Sequence, residues 1–203
     1  MRSDEPGLDP VAQRILDAAV AAIDANGEAA LRVQDVVGEA GVQIPILYRH
    51  FGNREGLVQA AQLERLRIDL SAEILAVQAV LGSAESAEEF RAVFDTVMER
   101  VMSEERRGPR FRRVNVMGST YQRPELLAGV AEAQHRAIDW IAGVLSEPAE
   151  RGWLREGLDL RVFATWLAGT MIGRFVAELD TDGFDMHEYD RMWLRSVHET
   201  LFG

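Results

Sequence analysis

Apolar residues recur every three or four positions along almost the whole chain, and this spacing constrains the fold more than any other feature. An α-helix places residues at that spacing on one face, whereas a half-buried strand needs them at alternate positions. No stretch of six or more residues alternates in the second way. The sequence therefore predicts an all-α fold, and its hydrophobic content of 47% is enough to fill a core.

Capping and helix-breaking residues divide the chain into nine predicted helices. Asp9 and Pro10 suit the start of the first helix, and Asn26-Gly27 suits its end. Asn53, Ser86, Asp159 and Asp185 are the later caps. The expected helices cover about 10–26, 33–39, 43–51, 53–81, 86–104, 110–122, 124–149, 159–179 and 185–201.

The second and third predicted helices are short and are joined by Ala40-Gly41-Val42. Two short helices joined by a glycine turn can place the second helix in the major groove of DNA. Leu47 and Phe51 are four residues apart and should face inward. The candidates for reading bases are then the residues on or near the outer face, namely Gln43, Ile44, Ile46 and Arg49. A purely structural helical hairpin would show the same pattern, so the pattern alone leaves both interpretations open.

The stretch LRVQDVVGEAGVQIPILYRHFGNREGL strongly resembles the DNA-binding domain of the tetracycline-repressor-like (TetR) regulators. The resemblance covers about residues 10–60 and includes RILDAA in the first helix, Asp35, the Ala40-Gly41-Val42 turn and the Leu47-Tyr48-x-His50-Phe51 run. It implies an N-terminal helix-turn-helix domain at 1–53 and a C-terminal helical domain for ligand binding and dimerisation at 54–203. It also implies a homodimeric repressor that binds double-stranded operator DNA and responds to a small-molecule effector, with no cofactor.

The resemblance also implies roles for individual residues. Tyr48, His50 and Arg54 would contact phosphates, while the first residues of the third helix would contact bases. Arg32 stands where the family often has a capping threonine, which exchanges a cap for a phosphate contact. Isoleucines in the groove would contact thymine methyl groups. The predicted DNA-binding set is Arg32, Gln43, Ile44, Pro45, Ile46, Tyr48, Arg49, His50 and Arg54.

The net charge of −11 opposes binding to DNA phosphates over most of the surface. The stretch from Gly41 to Arg54 nevertheless contains Arg49, His50 and Arg54 and no acidic residue. We therefore expect a small positive face on an acidic protein.

Aromatic and methionine side chains on the helices between 86 and 149 could line an apolar effector pocket, with core packing as the alternative. Tyr121, His135 and Asn115 are the expected polar anchors. The predicted ligand-binding set is Phe94, Met98, Met102, Phe111, Met117, Tyr121, His135 and Trp140.

The last two helices are predicted to form the dimer seam, because small residues there permit close helix approach. The predicted seam residues are Phe163, Leu167, Gly169, Gly173, Trp193 and Val197. Between them and the N-terminal domain, five arginines crowd the segment from Arg106 to Arg113. Pairing with surface acids such as Glu104 and Glu105 is the favoured interpretation, and binding of an anionic ligand or DNA backbone is the alternative.

Other functional classes find little support in the sequence. Glu132 and His135 supply only half of a di-iron motif, no cysteine is present, and no catalytic or metal site is predicted. No transmembrane segment or signal peptide is recognisable, so we expect a cytoplasmic protein without membrane contact. The alternative function is a helical-bundle ligand carrier or enzyme that uses the N-terminal helices only as structure.

Overall fold

The computed structural model describes residues 8–180, 183 and 185–203. These residues form α-helices and two short 3₁₀ turns, at Glu28–Ala30 and Glu104–Arg106, which confirms the all-α prediction. The α-helices are α1 Pro10–Asn26, α2 Val33–Ala40, α3 Ile44–Phe51, α4 Arg54–Leu81, α5 Ala87–Met102, α6 Arg107–Gly118, α7 Pro124–Glu150, α8 Leu160–Ala177 and α9 Met186–Leu201. Residues 1–7, which belong to the predicted N-terminal domain, and 181 and 182, in a predicted turn, lie outside the described residues.

The predicted caps hold the helix starts in place. Asp9 accepts a hydrogen bond from the Val11 N–H at 2.7 Å, and Asn53 accepts one from the Gly56 N–H at 2.8 Å. Ser86 and Asp159 cap α5 and α8 in the same way. Each cap satisfies a backbone donor that has no partner within the helix, so these boundaries could be predicted locally.

Helix α6 departs from its predicted span of 110–122. It begins at Arg107, with Pro109 in the first turn, where a missing N–H breaks no helical hydrogen bond. It ends at Gly118, and turns follow in which Gln122 has a φ of 59°, in the left-handed region. The shorter α6 places the turn between α6 and α7 against the N-terminal helices.

Helices α1 to α3 and the first two turns of α4 surround one hydrophobic core. Ile15 of α1, Leu47 of α3 and Leu57 of α4 are each 0% exposed within it. Helix α4 then continues into the C-terminal bundle, where Leu66 and Leu70 pack against α6 and α7. A separate cluster around Phe90 and Phe94 joins α5 to α8 and α9. The long α4 is therefore the element shared by the two parts of the chain.

The arginine-rich segment is mostly held by partners other than those predicted. Arg107 lies 4.0 Å from Glu104, as expected for a surface pair, whereas Arg112 pairs with Asp69 of α4 at 2.7 Å. Arg110 is only 8% exposed. It pairs with the equally buried Glu178 of α8 at 2.5 Å and donates to backbone carbonyls at the end of α5. The prediction of surface pairing is corrected for Arg110 and Arg112, because their partners lie on distant helices.

A polar network connects the N-terminal helices to the turn between α6 and α7. The carboxylate of Glu28 accepts hydrogen bonds from Arg123 at 2.5 Å, Gln62 at 2.8 Å and Ser119 at 3.2 Å. Arg123 also pairs with Glu55 of α4 at 2.8 Å. The hydrogen bond from Arg123 is the main reason that the pKa of Glu28 lies below its ordinary value of 4.5, while partial burial opposes that shift.

Arg65 extends this network along α4. Its side chain is 6% exposed, and it donates to Asp24 of α1 at 2.8 Å and to Gln62 at 2.6 Å. It also donates to Asn115 of α6 at 3.1 Å. One buried cation of α4 therefore contacts both the first helix of the N-terminal domain and α6 of the bundle.

We expect Leu47→Ala to lower the free energy of unfolding by about 2–5 kcal/mol, because it leaves a cavity in the N-terminal core. The matched control is Tyr48→Ala, whose side chain is 42% exposed and whose effect should stay within about 0.5 kcal/mol. Urea unfolding measures both. Equal effects of the two substitutions would contradict the assigned orientation of α3.

Arg123→Gln should destabilise the protein most above pH 4.5, because the lowered pKa of Glu28 means that its charged form is the one stabilised. This stabilisation is lost as the pH falls through the folded-state pKa, so the difference from the unmodified protein should shrink in acid. Urea unfolding over a pH series measures it. Arg136→Gln removes an exposed pair with Glu132 and should cost less than about 1 kcal/mol throughout. A pH-independent effect of Arg123→Gln would contradict the role of Glu28.

Candidate functional site

The turn between α2 and α3 sets the direction of α3. Gly41 ends α2 with φ 65° and ψ 39°, a left-handed conformation that glycine adopts without a side-chain clash. The following Val42 N–H donates to the Val37 carbonyl at 3.0 Å, which closes the end of α2. Helix α3 starts at Ile44, so only the three residues from Gly41 to Gln43 separate the two helices.

Helix α3 presents a polar outer face above a buried anchor. Leu47 is completely buried, and Phe51 packs partly against the same core, as the spacing predicts. The exposed residues at the start and along the outer face are Gln43, Pro45, Tyr48 and Arg49. Ile44 and Ile46 are half-buried and pack against the N-terminal core, so they offer less outer surface than the sequence suggested.

The predicted phosphate contacts differ in accessibility. Arg32 precedes α2, is exposed and makes no capping hydrogen bond, while Tyr48 is exposed on α3. His50 is half-buried, and its Nε2 atom is covered and has no hydrogen-bond partner among the described residues. Arg32 and Tyr48 are therefore directly accessible to a phosphate, and the corresponding role of His50 stays a prediction.

Arg54 has a structural role that the sequence did not reveal. Its guanidinium donates to the backbone carbonyls of Leu31 at 3.1 Å and Glu28 at 3.0 Å. These bonds tie the first turn of α4 to the segment before α2. A phosphate contact by Arg54 stays a prediction and would have to use the remaining donors of the guanidinium.

An apolar cavity of about 70 Å³ lies inside the C-terminal bundle, between α4, α5, α7 and α8. Of the predicted ligand-binding residues, Phe94, Met98 and Trp140 line it. Most of the wall comes from residues that the sequence did not single out, such as Leu70 and Ile74 of α4. Their apolar spacing was visible in the sequence, but the facing helices that make that side a cavity wall were not.

The other predicted ligand-binding residues lie elsewhere, and that part of the pocket prediction is corrected. Met102 is buried beside a groove between α5 and α9, and Phe111 packs against Phe175 with ring centres 4.7 Å apart. Tyr121 is 79% exposed on the turn after α6, and His135 is exposed on α7. Met117 is half-buried outside the cavity wall. These residues were grouped by type along the sequence, and their helices point them in different directions.

An outer recess of about 390 Å³ adjoins the cavity. Leu81, Trp140 and Val144 line both spaces, so these three side chains form the partition between them. Phe90 and Trp153 form the aromatic part of the recess. The cavity and the recess therefore share a boundary formed by these three residues.

The residues predicted for the dimer seam fall into two groups. Phe163, Leu167, Trp193 and Val197 are at most 8% exposed and belong to the core of a single chain, so they cannot supply contact area to a partner. Gly169 and Gly173 face open space. The exposed apolar residues of the last two helices and of the turn after α8 are Val162, Trp166, Val176, Leu179 and Met192. Four of the six predicted seam residues are therefore buried within one chain, and the place of Gly169 and Gly173 in a dimer seam stays a prediction.

Among the described residues, no three potential metal-ligating side chains of His, Asp or Glu come together. A membrane-crossing helix is also absent from this part of the chain, because none of its helices combines the necessary length with sufficient apolar character.

Residues 15–61 match the family model described as bacterial regulatory proteins, tetR family. This range covers α1 to α3 and the start of α4, which are the elements around the N-terminal core. Comparison with curated proteins gives no match.

Solved structures resemble the chain over nearly its whole length. A protein described as a TetR-family transcriptional regulator from Mesorhizobium loti has a TM-score of 0.69 and 16% identity, over 95% of this chain and 97% of that chain. A transcriptional regulator from Saccharomonospora viridis in complex with choline has a TM-score of 0.64 and 20% identity, over 94% of this chain and 97% of that chain. The regulator FadR from Bacillus subtilis in complex with stearoyl-CoA has a TM-score of 0.58 and 20% identity, over 91% of this chain and 96% of that chain.

At these identities the structural likeness establishes the fold, and the family model identifies the N-terminal domain. Residues 15–61 are therefore similar to the N-terminal domain of the tetR family of bacterial regulatory proteins, and the chain as a whole has the fold of the solved structures that it resembles.

Proposed function

We propose that this protein is a DNA-binding transcriptional repressor that binds an inverted-repeat operator as a homodimer and leaves it when a small molecule binds the C-terminal bundle. The observation that carries the proposal is the outer face of α3, where exposed Tyr48 and Arg49 stand above a completely buried Leu47. A helix anchored in this way can enter the major groove without disturbing its own core.

DNA contact is supported by the position of the exposed residues. Gln43 and Arg49 suit base edges, since amide and guanidinium groups form paired hydrogen bonds with adenine and guanine. Arg32, exposed before α2, and Tyr48, exposed on α3, suit phosphates. Because the whole protein carries a net charge of −11, attraction to DNA has to be confined to this face.

Dimerisation is supported by the exposed apolar stripe on α8. Val162 and Val176 are 65% and 69% exposed, and Gly169 and Gly173 lie between them with open space around them. A second copy related by a two-fold axis would cover this stripe and bring two α3 helices to the same side of DNA. Two such helices require an inverted repeat.

Effector binding is supported by the presence of an apolar cavity inside the bundle. Sites for drug-sized ligands usually measure about 300–1,000 Å³, so a cavity of about 70 Å³ has to enlarge before it admits one. Enlargement moves the helices that form the wall. Two proteins of similar fold are described in complex with choline and with stearoyl-CoA, which supports the binding of a small molecule here.

Helix α6 connects the cavity to the N-terminal domain. Arg113 of α6 lines the cavity. On the same helix, Asn115 accepts a hydrogen bond from Arg65, and Ser119, directly after the helix, donates one to Glu28. A ligand that displaces α6 therefore changes contacts with the DNA-binding domain. Release requires that the ligand bind the two arrangements unequally, by about 1–3 kcal/mol in typical cases.

The alternative function is a ligand carrier or enzyme that does not bind DNA. A mobility-shift assay with random-sequence DNA distinguishes it from the proposed repressor. Binding followed by selection of a defined inverted repeat supports the proposal. Failure to bind any duplex at low salt would reject it.

Arg32→Gln should weaken binding to all sequences alike and flatten the salt dependence by about one unit, because one phosphate contact is lost. Arg49→Gln should instead reduce discrimination at one base position by about 1–3 kcal/mol. Fluorescence anisotropy across a salt series measures both effects. The control is Arg151→Gln, at the far end of α7, which should change neither quantity. An Arg32 variant with an unchanged slope would remove that residue from the interface.

Val176→Glu should dissociate the homodimer, because it places a charge within the exposed apolar stripe on α8. Leu127→Glu changes an apolar residue of α7 that is 54% exposed and should leave the dimer intact. Sedimentation equilibrium gives the oligomeric state. For the unmodified protein, in vitro selection of bound DNA should return operators whose two half-site centres are roughly 34–36 Å apart, or a multiple of that distance. A dimer that survives Val176→Glu would place the seam elsewhere.

A further inference from the structure

Two polar side chains interrupt the apolar wall of the cavity in the bundle. They are Arg113 of α6 and Gln134 of α7, and every other residue of the wall is apolar. The Arg113 guanidinium donates from Nη2 to Oε1 of Gln134 at 3.1 Å. These two side chains therefore form one polar end of an otherwise apolar space.

Arg113 is only 9% exposed, so its charge lies in a poorly solvated place. A guanidinium stays protonated even when it is buried, and it binds a carboxylate through two parallel hydrogen bonds. Gln134 offers an amide N–H as a further donor beside it. The polar end consequently offers donors to a ligand head group that accepts hydrogen bonds, and a carboxylate matches the geometry of a guanidinium best.

The rest of the space favours an apolar body. Met98 and Met171 line the cavity and can change shape by rotation about their flexible side chains. Trp140 lies at the partition to the outer recess of about 390 Å³. Rotation of Trp140 would join the two spaces and accommodate an apolar chain longer than the closed cavity admits.

We propose that the effector is an amphipathic carboxylate, with its carboxylate bound by Arg113 and Gln134 and its apolar body in the cavity and the adjoining recess. This proposal rests on the proposed function and identifies the chemical class of the ligand at the same site. The head group would bind α6 itself, two residues before Asn115, which accepts a hydrogen bond from Arg65 of α4. Ligand charge would thus act on the helix that contacts the N-terminal domain.

The test compares three probes that share one apolar chain and differ in the head group: octanoate, octanol and octylammonium. Binding to the full chain is measured by calorimetry and by the change in tryptophan fluorescence. Octanoate should bind about tenfold more tightly than octanol, since a hydrogen bond to a charged partner contributes roughly that difference. Octylammonium should bind more weakly than octanol.

Arg113→Gln should reduce the preference for octanoate over octanol to less than about twofold, while octanol affinity changes little. The matched control is Arg112→Gln on the same helix, which pairs with Asp69 outside the cavity and should keep the preference. Gln134→Glu is an independent variant, because its carboxylate would compete for Arg113 and lower octanoate affinity alone. Thermal unfolding identifies any variant that fails to fold.

Equal affinities of octanoate and octanol for the unmodified protein, or binding of neither, would overturn the proposal without any variant. If both the Arg113→Gln and the Gln134→Glu variants kept the preference for octanoate over octanol, the proposal would also be overturned. Operator binding is measured in the same samples without ligand. If the unmodified protein binds its operator but shows no preference for octanoate, only the proposed ligand class is rejected. If the unmodified protein binds no operator, the proposed function is rejected.

Discussion

The carboxylate of Glu28 is the contact on which the relative placement of the two domains depends. It lies in the short turn before α2 and binds Arg123, Gln62 and Ser119, which belong to α4 and to the turn after α6. The low pKa of Glu28 shows that its charged form is favoured in the folded protein. Arg54 holds the same turn through its backbone carbonyls. A movement of the end of α6 would therefore change the hydrogen bonds of Glu28, in the segment that leads into the helix-turn-helix.

The interior of the bundle combines apolar packing with a few buried cations. Arg110 and Arg174 are satisfied by Glu178, which links α6 to α8 within the core of one chain. Removal of one partner from such a pair leaves an uncompensated charge, so these contacts restrict α6 to a small set of arrangements. Arg113 differs in its position on the cavity wall. Helix α6 is thus held by ion pairs on one side and adjoins the cavity on the other.

The helices could be predicted from the sequence because their determinants are local. Asp9, Asn53 and Gly41 act on backbone groups within a few residues, and apolar spacing identifies the buried face of α3. The partners of Arg54 and the burial of Arg113 could not be predicted, since they depend on segments that are distant in sequence. A charged residue in a helical pattern is normally assigned to the surface, and only the packed structure shows the exceptions.

Helix α8 shows the same limit for an interface. Its apolar residues occur on both sides, so periodicity gives no single inner face, and Phe163 and Leu167 were assigned to the seam although they fill the core. The opposite side carries Val162 and Val176, which remain exposed in one chain. A helix that is apolar all round requires burial on both sides. The chain itself covers only one of them, and the exposed residues on the other side are the apolar surface that the proposed homodimer would bury.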